Sequence, residues 1–430
     1  MANLKKGDKK VITAWSFYDW ANSAYALVIT STIFPIYYVA VTKTETSDKV
    51  HFIGREYTNT TLYTFAMAFA YMIVAAIAPL LSGIADYSGN KKRFMQFFCY
   101  LGSLSCACMY FFTGLENLWV GILTLIFACI GWSGSIVFYN AYLPEIAEPQ
   151  DHDRVSAKGF SMGYIGSAIL LILNLAMVMK PELFGIENSG QASRISFLTV
   201  GIWWALFAQI TFYYLPNNVY GHKPRGQYLF NGYLELKKVY FELKQHKQLA
   251  RFLSAFFVYN MGVQTVMLIA TLFGSKELKL ESSQLIIVIL VIQFVAILGA
   301  YLFSYLSGKK GNIFTLKVSV VIWIGICIAA YFVYTATAFY ITAAVVGLVM
   351  GGIQSISRST YSKMLPETED HATYFSYYDV TDKICIVCGM ALFGFIEQFS
   401  ESMRNPILAL ILFFIVGFVL LLRIPKKTNN

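Results

Sequence analysis

The chain has 430 residues, 57% of them hydrophobic and only 13% charged, with a net charge of +9. Soluble proteins carry about 25% charged residues, so this composition excludes an ordinary soluble fold. Apolar runs of about 20 residues or more, long enough to cross a hydrocarbon core of about 30 Å, identify instead an all-α polytopic membrane protein.

Twelve transmembrane helices are predicted, at approximately 11–42, 58–85, 94–113, 118–144, 158–179, 195–215, 251–274, 283–306, 315–334, 337–358, 373–398 and 405–424. The first and fourth exceed a simple crossing and are expected to tilt or protrude. Lys5 to Lys10 precede an apolar stretch far longer than the h-region of a signal peptide, with no small-residue cleavage site, so the first helix is expected in the mature protein. All seven cysteines fall within apolar spans, where free cysteine packs as a small hydrophobe, Cys385-x-x-Cys388 included.

Lysine and arginine set the orientation. With the N-terminus cytoplasmic, 24 of the 33 Lys and Arg fall on that side, among them Lys5, Lys91, Lys92, Arg93, Lys223, Arg225, Lys426 and Lys427. Eight fall on the other side and Lys383 lies inside a span. This bias predicts two cytoplasmic termini, consistent with an even number of spans. Residues 216–250 form a polar interruption that divides the chain into an N-terminal six-helix half (1–215) and a C-terminal six-helix half (251–430). Within that linker Leu229, Tyr233, Leu236, Tyr240 and Leu243 recur at helical spacing, with Lys237, Lys238 and Lys244 largely off the stripe. The pattern predicts a helix on the cytoplasmic face of the bilayer, its lysines near anionic lipid.

The two halves share phrases. Tyr139-x-x-x-Leu143-Pro144-Glu145 returns as Tyr361-x-x-x-Leu365-Pro366-Glu367, 222 residues later, and at the same offset Gly89-Asn90 becomes Gly311-Asn312. Two pseudo-symmetric membrane-embedded halves in one chain are the build of many secondary transporters. Span 1 opens with Tyr18-Asp19-Trp20-Ala21-Asn22-Ser23-Ala24-Tyr25, and span 7 with Tyr259-Asn260-Met261-Gly262-Val263-Gln264. Both place a tyrosine, an acid or amide, and a further amide on one helix face. Ionisable and amide groups in lipid are expensive and belong on the bundle interior. Asp19 lies about eight residues, or about 12 Å, into its helix.

The loop after span 2, Ser82-Gly83-Ile84-Ala85-Asp86-Tyr87-Ser88-Gly89-Asn90-Lys91, resembles the signature loop of the major facilitator superfamily, Gly-x-Leu-Ala-Asp-Arg-x-Gly-Arg-Lys. Ala85, Asp86, Gly89 and Lys91 match, whereas Ser82, Tyr87 and Asn90 replace the first glycine and the two arginines. In that family the aspartate and the basic residues latch the two halves on the cytoplasmic side, so Asp86, Gly89 and Lys91 are gating residues by resemblance. The phrases in spans 1 and 7, Tyr139-Asn140-Ala141-Tyr142-Leu143-Pro144, and Gly351-Gly352-Ile353-Gln354-Ser355-Ile356-Ser357-Arg358-Ser359 narrow the resemblance further. The chain is similar, from span 1 to about span 11, to the branch containing the fungal vacuolar amino-acid effluxers of autophagy and their bacterial relatives.

That resemblance implies the major facilitator fold, with spans 1, 4, 7 and 10 lining a central cavity. It implies a carrier of a small polar solute, with amino acids the best-known cargo and a proton the expected co-transported ion. Solute-binding candidates are Tyr18, Asp19, Asn22, Tyr25, Asn140, Asn260, Gln264 and Gln354. Asp19 suits an ammonium, the amides a carboxylate; an equally simple role for the amides is helix-to-helix hydrogen bonding. In span 11, Asp379 and Lys383 stand at i,i+4 in the favourable order for a helical ion pair, which leaves Asp382 without an obvious local partner. Asp19 or Asp382, with Asp379 and Lys383, is therefore the candidate coupling group. Arg358 is either a gate ion pair to an acid such as Glu145 or a solute ligand.

The five histidines lie in loops or at span ends, and no nucleophile–base pair, P-loop or metal motif appears, so an enzyme or an ATP-driven pump is disfavoured and no cofactor or metal is expected. No filter loop marks a channel. A non-transporting solute sensor of the same fold, or a carrier of a sugar or peptidoglycan fragment, is the alternative. The expected partners are a small solute, a proton and the bilayer, with no nucleic acid; the fold usually works as a monomer, and the expected location is a bacterial cytoplasmic membrane.

Overall fold

A computed structural model describes residues 6–44, 47–222, 228–400 and 404–425. Lys5, Lys223, Arg225, Lys426 and Lys427, and the side chain of Leu229, lie outside the described residues. Twelve long helices follow the predicted order. Span 1 runs over Lys9–Thr42 and span 2 over Asn59–Ser88. Spans 3 to 6 are Lys91–Cys108, Leu118–Ala141, His152–Met179 and Ser189–Tyr214. After a linker helix (Tyr228–Gln245), spans 7 to 9 are Lys247–Leu278, Ser282–Lys310 and Asn312–Tyr331. Spans 10 to 12 are Ala336–Met364, His371–Ser400 and Arg404–Leu422. Among the described residues, eleven of these helices hold a stretch long and apolar enough to cross a membrane. The other, span 11, carries Asp379, Asp382 and Lys383 in its first half.

Local chemistry sets the helix ends. Thr58 accepts from the Thr61 amide at the start of span 2, and Asn188 accepts from the Gln191 amide at the start of span 6. Span 2 stops at Gly89, whose φ of 68° is the left-handed conformation that glycine adopts without penalty. Between spans 1 and 2 a two-stranded hairpin, β1 (Lys49–Phe52) and β2 (Arg55–Thr58), turns through Ile53 and Gly54, both at positive φ.

Span 1 is not α-helical throughout. Tyr25–Ile33 is a π-helix between two α segments, and it ends directly before Phe34-Pro35. A proline inside a helix lacks an N–H and collides with the carbonyl four residues back, here that of Ser31. The wider turn relieves that collision, and the Ser31 and Thr32 hydroxyls donate to the carbonyls of Ala26 and Leu27, five residues back.

The helices gather into two compact units. The first comprises residues 9–140 and 162–232, the second residues 141–161 and 233 onward. This division differs from chain order: the end of span 4, the following loop and the first turns of span 5 belong with spans 7 to 12. The first unit is packed around Trp15, Tyr18, Tyr25, Tyr139 and Trp204, all fully buried. In the second, spans 8 and 10 meet backbone to backbone: a methyl added to Gly347 would lie 2.5 Å from the Ile292 carbonyl oxygen, and one at Gly351 would collide with Ala296. Small residues at such crossings are what holds helices together where lipid removes the hydrophobic drive.

The linker helix meets protein on one face. Lys238 pairs with Asp370 (2.6 Å), the Tyr374 hydroxyl donates to Glu242 (2.8 Å), and the Tyr377 hydroxyl donates to the Leu236 carbonyl. Partial burial works against the Lys238 charge, but Asp370 and Glu235 outweigh it and hold the ammonium above its ordinary range. Phe230, Leu234 and Phe241 are exposed, together with Tyr233 and Tyr240 of the predicted stripe.

Candidate functional site

In the first unit the polar centre is Asp19. Its carboxylate is buried, and the Tyr139 hydroxyl donates to Oδ2 at 2.7 Å. Tyr139 is fixed in turn: its ring stacks on Trp15 at 4.4 Å and 13°, and the Trp15 indole N–H donates to the Tyr139 carbonyl at 2.9 Å. Tyr18 lies against the other side of the Tyr139 ring, 5.3 Å between centroids. Three residues on, Asn22 is 1% exposed and its amide nitrogen has no hydrogen-bond partner among the described residues. Tyr25 is wedged between Trp132 and Trp204 and belongs to the core wall. Asn140, next to Tyr139, is buried. Span 5 passes close to the span 1 backbone at Gly163, where a methyl would lie 2.5 Å from the Ser23 hydroxyl and 3.2 Å from the Asp19 backbone carbonyl.

The second copy of the phrase works differently. Tyr361 donates to the Tyr374 carbonyl (2.5 Å) and stacks near Tyr378, so no acid stands where Asp19 stands in the first. Tyr259 shares a hydrogen bond with Ser357 at 2.7 Å. Acidity comes from span 11 instead. Lys383 lies 3.1 Å from Asp379 and 3.0 Å from Asp382, and the other Asp382 oxygen accepts from Asn260 (2.7 Å) and Gln264 (2.9 Å). The expectation that Asp382 lacks a local partner is therefore corrected. Lys383 is long enough to bridge its i−1 and i−4 neighbours, and the two span-7 amides, at i,i+4, share the face that reaches Asp382. One oxygen of the buried Asp379 carboxylate is left with no partner among the described residues. Gln354 is half-buried on span 10, in the turn before Arg358.

A third cluster gathers at the span ends predicted to be cytoplasmic, again within the second unit. Glu145 meets His371 at 3.2 Å, both buried. Asp153, in the first turn of span 5, accepts from Ser307 (2.8 Å), Asn312 (2.7 Å) and Lys363 (2.6 Å), and Lys363 also donates to the Asn312 side-chain oxygen Oδ1 at 3.0 Å. Arg358 donates to the Ser156 hydroxyl and carbonyl at 3.0 and 2.9 Å and lies 4.1 Å over the Phe160 ring. In the first unit Asp86 and Lys91 form a buried ion pair at 3.8 Å within their own loop. That loop is fastened by Lys92 to the Leu215 carbonyl and by Asn218 packed on Gly89.

Sequence reasoning passed over Asp153, Lys363 and His371, which read as ordinary basic or polar loop residues. One signal was present. The offset of 222 places Gly308 and Ile313 where the first loop has Asp86 and Lys91, so the second Gly-Asn loop lacks an ion pair of its own. Asp153 and Lys363 supply one.

The comparisons agree with this architecture. Residues 7–429 match the family model described as "Vacuole effluxer Atg22 like". The chain is 33% identical to an uncharacterized MFS-type transporter, YxiO, of Bacillus subtilis, covering 99% of this chain and 97% of that one. It is 23% identical to Autophagy-related protein 22 of Vanderwaltozyma polyspora, covering 98% and 91%. Among solved structures, the fold is similar to that of FucP, a major facilitator superfamily transporter in the outward conformation (TM-score 0.70, 11% identity, 97% and 98% covered). It is also similar to the human organic anion transporter MFSD10 (TM-score 0.73, 9% identity, 97% and 100% covered). The protein is a multi-pass membrane transporter, not an enzyme, and it belongs to the Atg22-like branch of the major facilitator superfamily.

Proposed function

We propose that the protein carries a small polar solute with an ammonium group, amino acids being the favoured class, by alternating access. The observation that carries this reading is the Asp19 carboxylate held by Tyr139 inside an apolar bundle, with the Asn22 amide beside it. A buried acid, and a buried amide whose nitrogen has no hydrogen-bond partner among the described residues, are costly in a membrane helix and mark a place for a polar ligand. The name of the matched family, vacuole effluxer, supports carriage of a solute across a membrane, and one structural relative is titled a fucose:proton symporter, which supports a proton as the coupled ion. Asn140, Asn260, Gln264 and Gln354 are the further solute contacts in this proposal. Asp86 with Lys91, Gly89 at the turn, Glu145 with His371, Arg358 with Ser156, and the Asp153 cluster are contacts that break and re-form as the carrier cycles. The carrier acts as a monomer in a bacterial cytoplasmic membrane with both termini inside.

The test is uptake of a mixed pool of labelled amino acids into proteoliposomes, with and without an inward proton gradient, for the native chain and Asp19→Asn. Gradient-stimulated flux that the substitution abolishes supports the proposal. Flux that survives it removes Asp19 from the site. Absence of flux from folded protein overturns the amino-acid assignment, in favour of a sugar, a peptidoglycan fragment or a sensing role.

A further inference from the structure

Lys383, Asp379 and Asp382 form a closed set in the second unit, with two carboxylates facing one ammonium. The three side chains are 3%, 4% and 19% exposed. Asp382 is fully engaged, one oxygen by Lys383 and the other by Asn260 and Gln264. Asp379 is not: Oδ1 faces Lys383, and Oδ2 has no partner among the described residues. With both carboxylates ionised the set carries one net negative charge, and no second cation pairs with either carboxylate among the described residues. Span 11 packs on spans 7 and 12. Among the described residues, span 7 contributes the amides of Asn260 and Gln264 here, and the one ionisable residue of span 12, Arg404, is committed to Glu277. Arg358 of span 10 and Asp382 both act on the neighbouring Tyr378. The Lys238 and Glu242 side chains of the linker helix meet span 11 at Asp370 and Tyr374, more than a turn before Asp379.

We infer that this cluster is a proton-binding site, with Asp379 Oδ2 as the atom that takes the proton; the inference rests on the carrier reading and assigns its coupling group. A bare carboxylate in a low-dielectric interior is stable only when paired or neutralised. Binding one proton forms an O–H bond at Oδ2, leaves Lys383 to Asp382 alone and brings the set to zero charge. Releasing that proton to water restores the single negative charge. A hard metal cation does not fit, because such ions take six or more oxygen ligands and a single carboxylate oxygen is left. The proton seat at Oδ2 moves the coupling role from Asp19 and Asp382, the two acids favoured by sequence, to Asp379.

Infrared difference spectroscopy of the full chain in lipid, titrated between acid and alkaline pH without any solute, reads the carboxylic C=O band directly. The expected result is one titrating buried carboxyl band in the native protein that persists in Asp19→Asn. Either Asp379→Asn or Asp382→Asn removes it, because each leaves a one-to-one pair with Lys383. Gln264→Leu, which strips a donor from Asp382 only, leaves the band at its native frequency. A titrating band that survives both span-11 substitutions, one lost in Asp19→Asn, or none at any pH, overturns the site. A frequency shift in Gln264→Leu overturns Asp379 as the seat. Thermal unfolding and gel filtration confirm that each variant is folded, and Asp379→Glu, which keeps the acid, retains the band. Because no solute is present, failure of the amino-acid assignment leaves this readout intact.

Discussion

The Tyr139 hydroxyl and the Asp19 carboxylate, 120 residues apart in the chain, meet at 2.7 Å in the buried centre of the first unit. The contact joins span 1 to span 4 through the tyrosine that opens the Tyr-x-x-x-Leu-Pro-Glu phrase. The Trp15 ring and indole N–H clamp the tyrosine from behind.

Tyr139→Phe keeps the stacking on Trp15 and deletes the donor, leaving Asp19 Oδ2 one bond poorer inside the bundle. Loss of a partner by a buried charged group costs about 1–3 kcal/mol. The expected outcome is a lower unfolding midpoint in a sodium dodecyl sulfate titration. Asp19→Asn, which keeps an acceptor for Tyr139 and removes the charge, is expected to lose less stability while losing gradient-driven flux. Equal losses from the two changes would show that the charge and not the bond carries the stability.

The Asp153 cluster is asymmetric, and its mutants should be too. Asp153→Ala strands three donors, from Ser307, Asn312 and Lys363, whereas Lys363→Met takes away one of three from a carboxylate that keeps the others. Asp153→Ala is therefore expected to cost about 1–3 kcal/mol more than Lys363→Met. In a double-mutant cycle on unfolding, the Asp153–Lys363 pair should couple by at least about 0.5 kcal/mol. Additive effects would reduce the pair to a crossing of independent side chains.

How far the sequence could be read differed from residue to residue. Asp19 was visible because a carboxylate in an apolar run is expensive wherever it sits. Tyr139 stood out as the head of a repeated phrase, but its pairing with Asp19, 120 residues away, depends on how spans 1 and 4 pack. Asn260 and Gln264 were legible as one helix face through their spacing. That they serve Asp382, and that Asp379 is the acid left with an open oxygen, depends on how spans 7 and 11 pack. Asp153 and Lys363 sit at span ends, where charges are expected for orientation alone, so their pairing was hidden behind a simpler explanation. The π-helical turn in span 1, which ends directly before Phe34-Pro35, was not read from the sequence.

The Lys238–Asp370 contact offers a contrast in magnitude. Its lysine side chain is 51% exposed, so Lys238→Gln is expected to lower stability by no more than about 1 kcal/mol despite the 2.6 Å distance. The ammonium is held above its ordinary range, first against burial and then by Asp370 and Glu235. A cation whose folded pKa is raised contributes fully below its unfolded value of about 10.4 and loses that contribution only as pH climbs through the folded one. The difference between native protein and Lys238→Gln should therefore stay constant from about pH 7 to pH 9. A difference that shrinks across that window would mean that Lys238 is losing its proton there.

The glycines of span 10 allow the packing argument to be tested without touching a polar group. Gly351 faces the Ala296 backbone so closely that a methyl group collides with it, and Gly347 is nearly as tight against Ile292. The space around Gly325 of span 9 is open, with nothing within 4 Å of where a methyl would sit. Gly351→Ala is expected to force spans 8 and 10 apart and to cost about 1–3 kcal/mol, as overpacking does elsewhere. Gly325→Ala adds the same atom, meets nothing and removes a flexible residue from a helix interior, so it should be neutral or stabilising by up to about 1 kcal/mol. Unfolding titrations of the two variants side by side decide the matter. Matching losses would mean that helix flexibility matters more than contact. A loss confined to Gly351→Ala locates the closest-packed joint of the second unit between spans 8 and 10, one turn from Ser355, whose carbonyl accepts from the Ser156 hydroxyl.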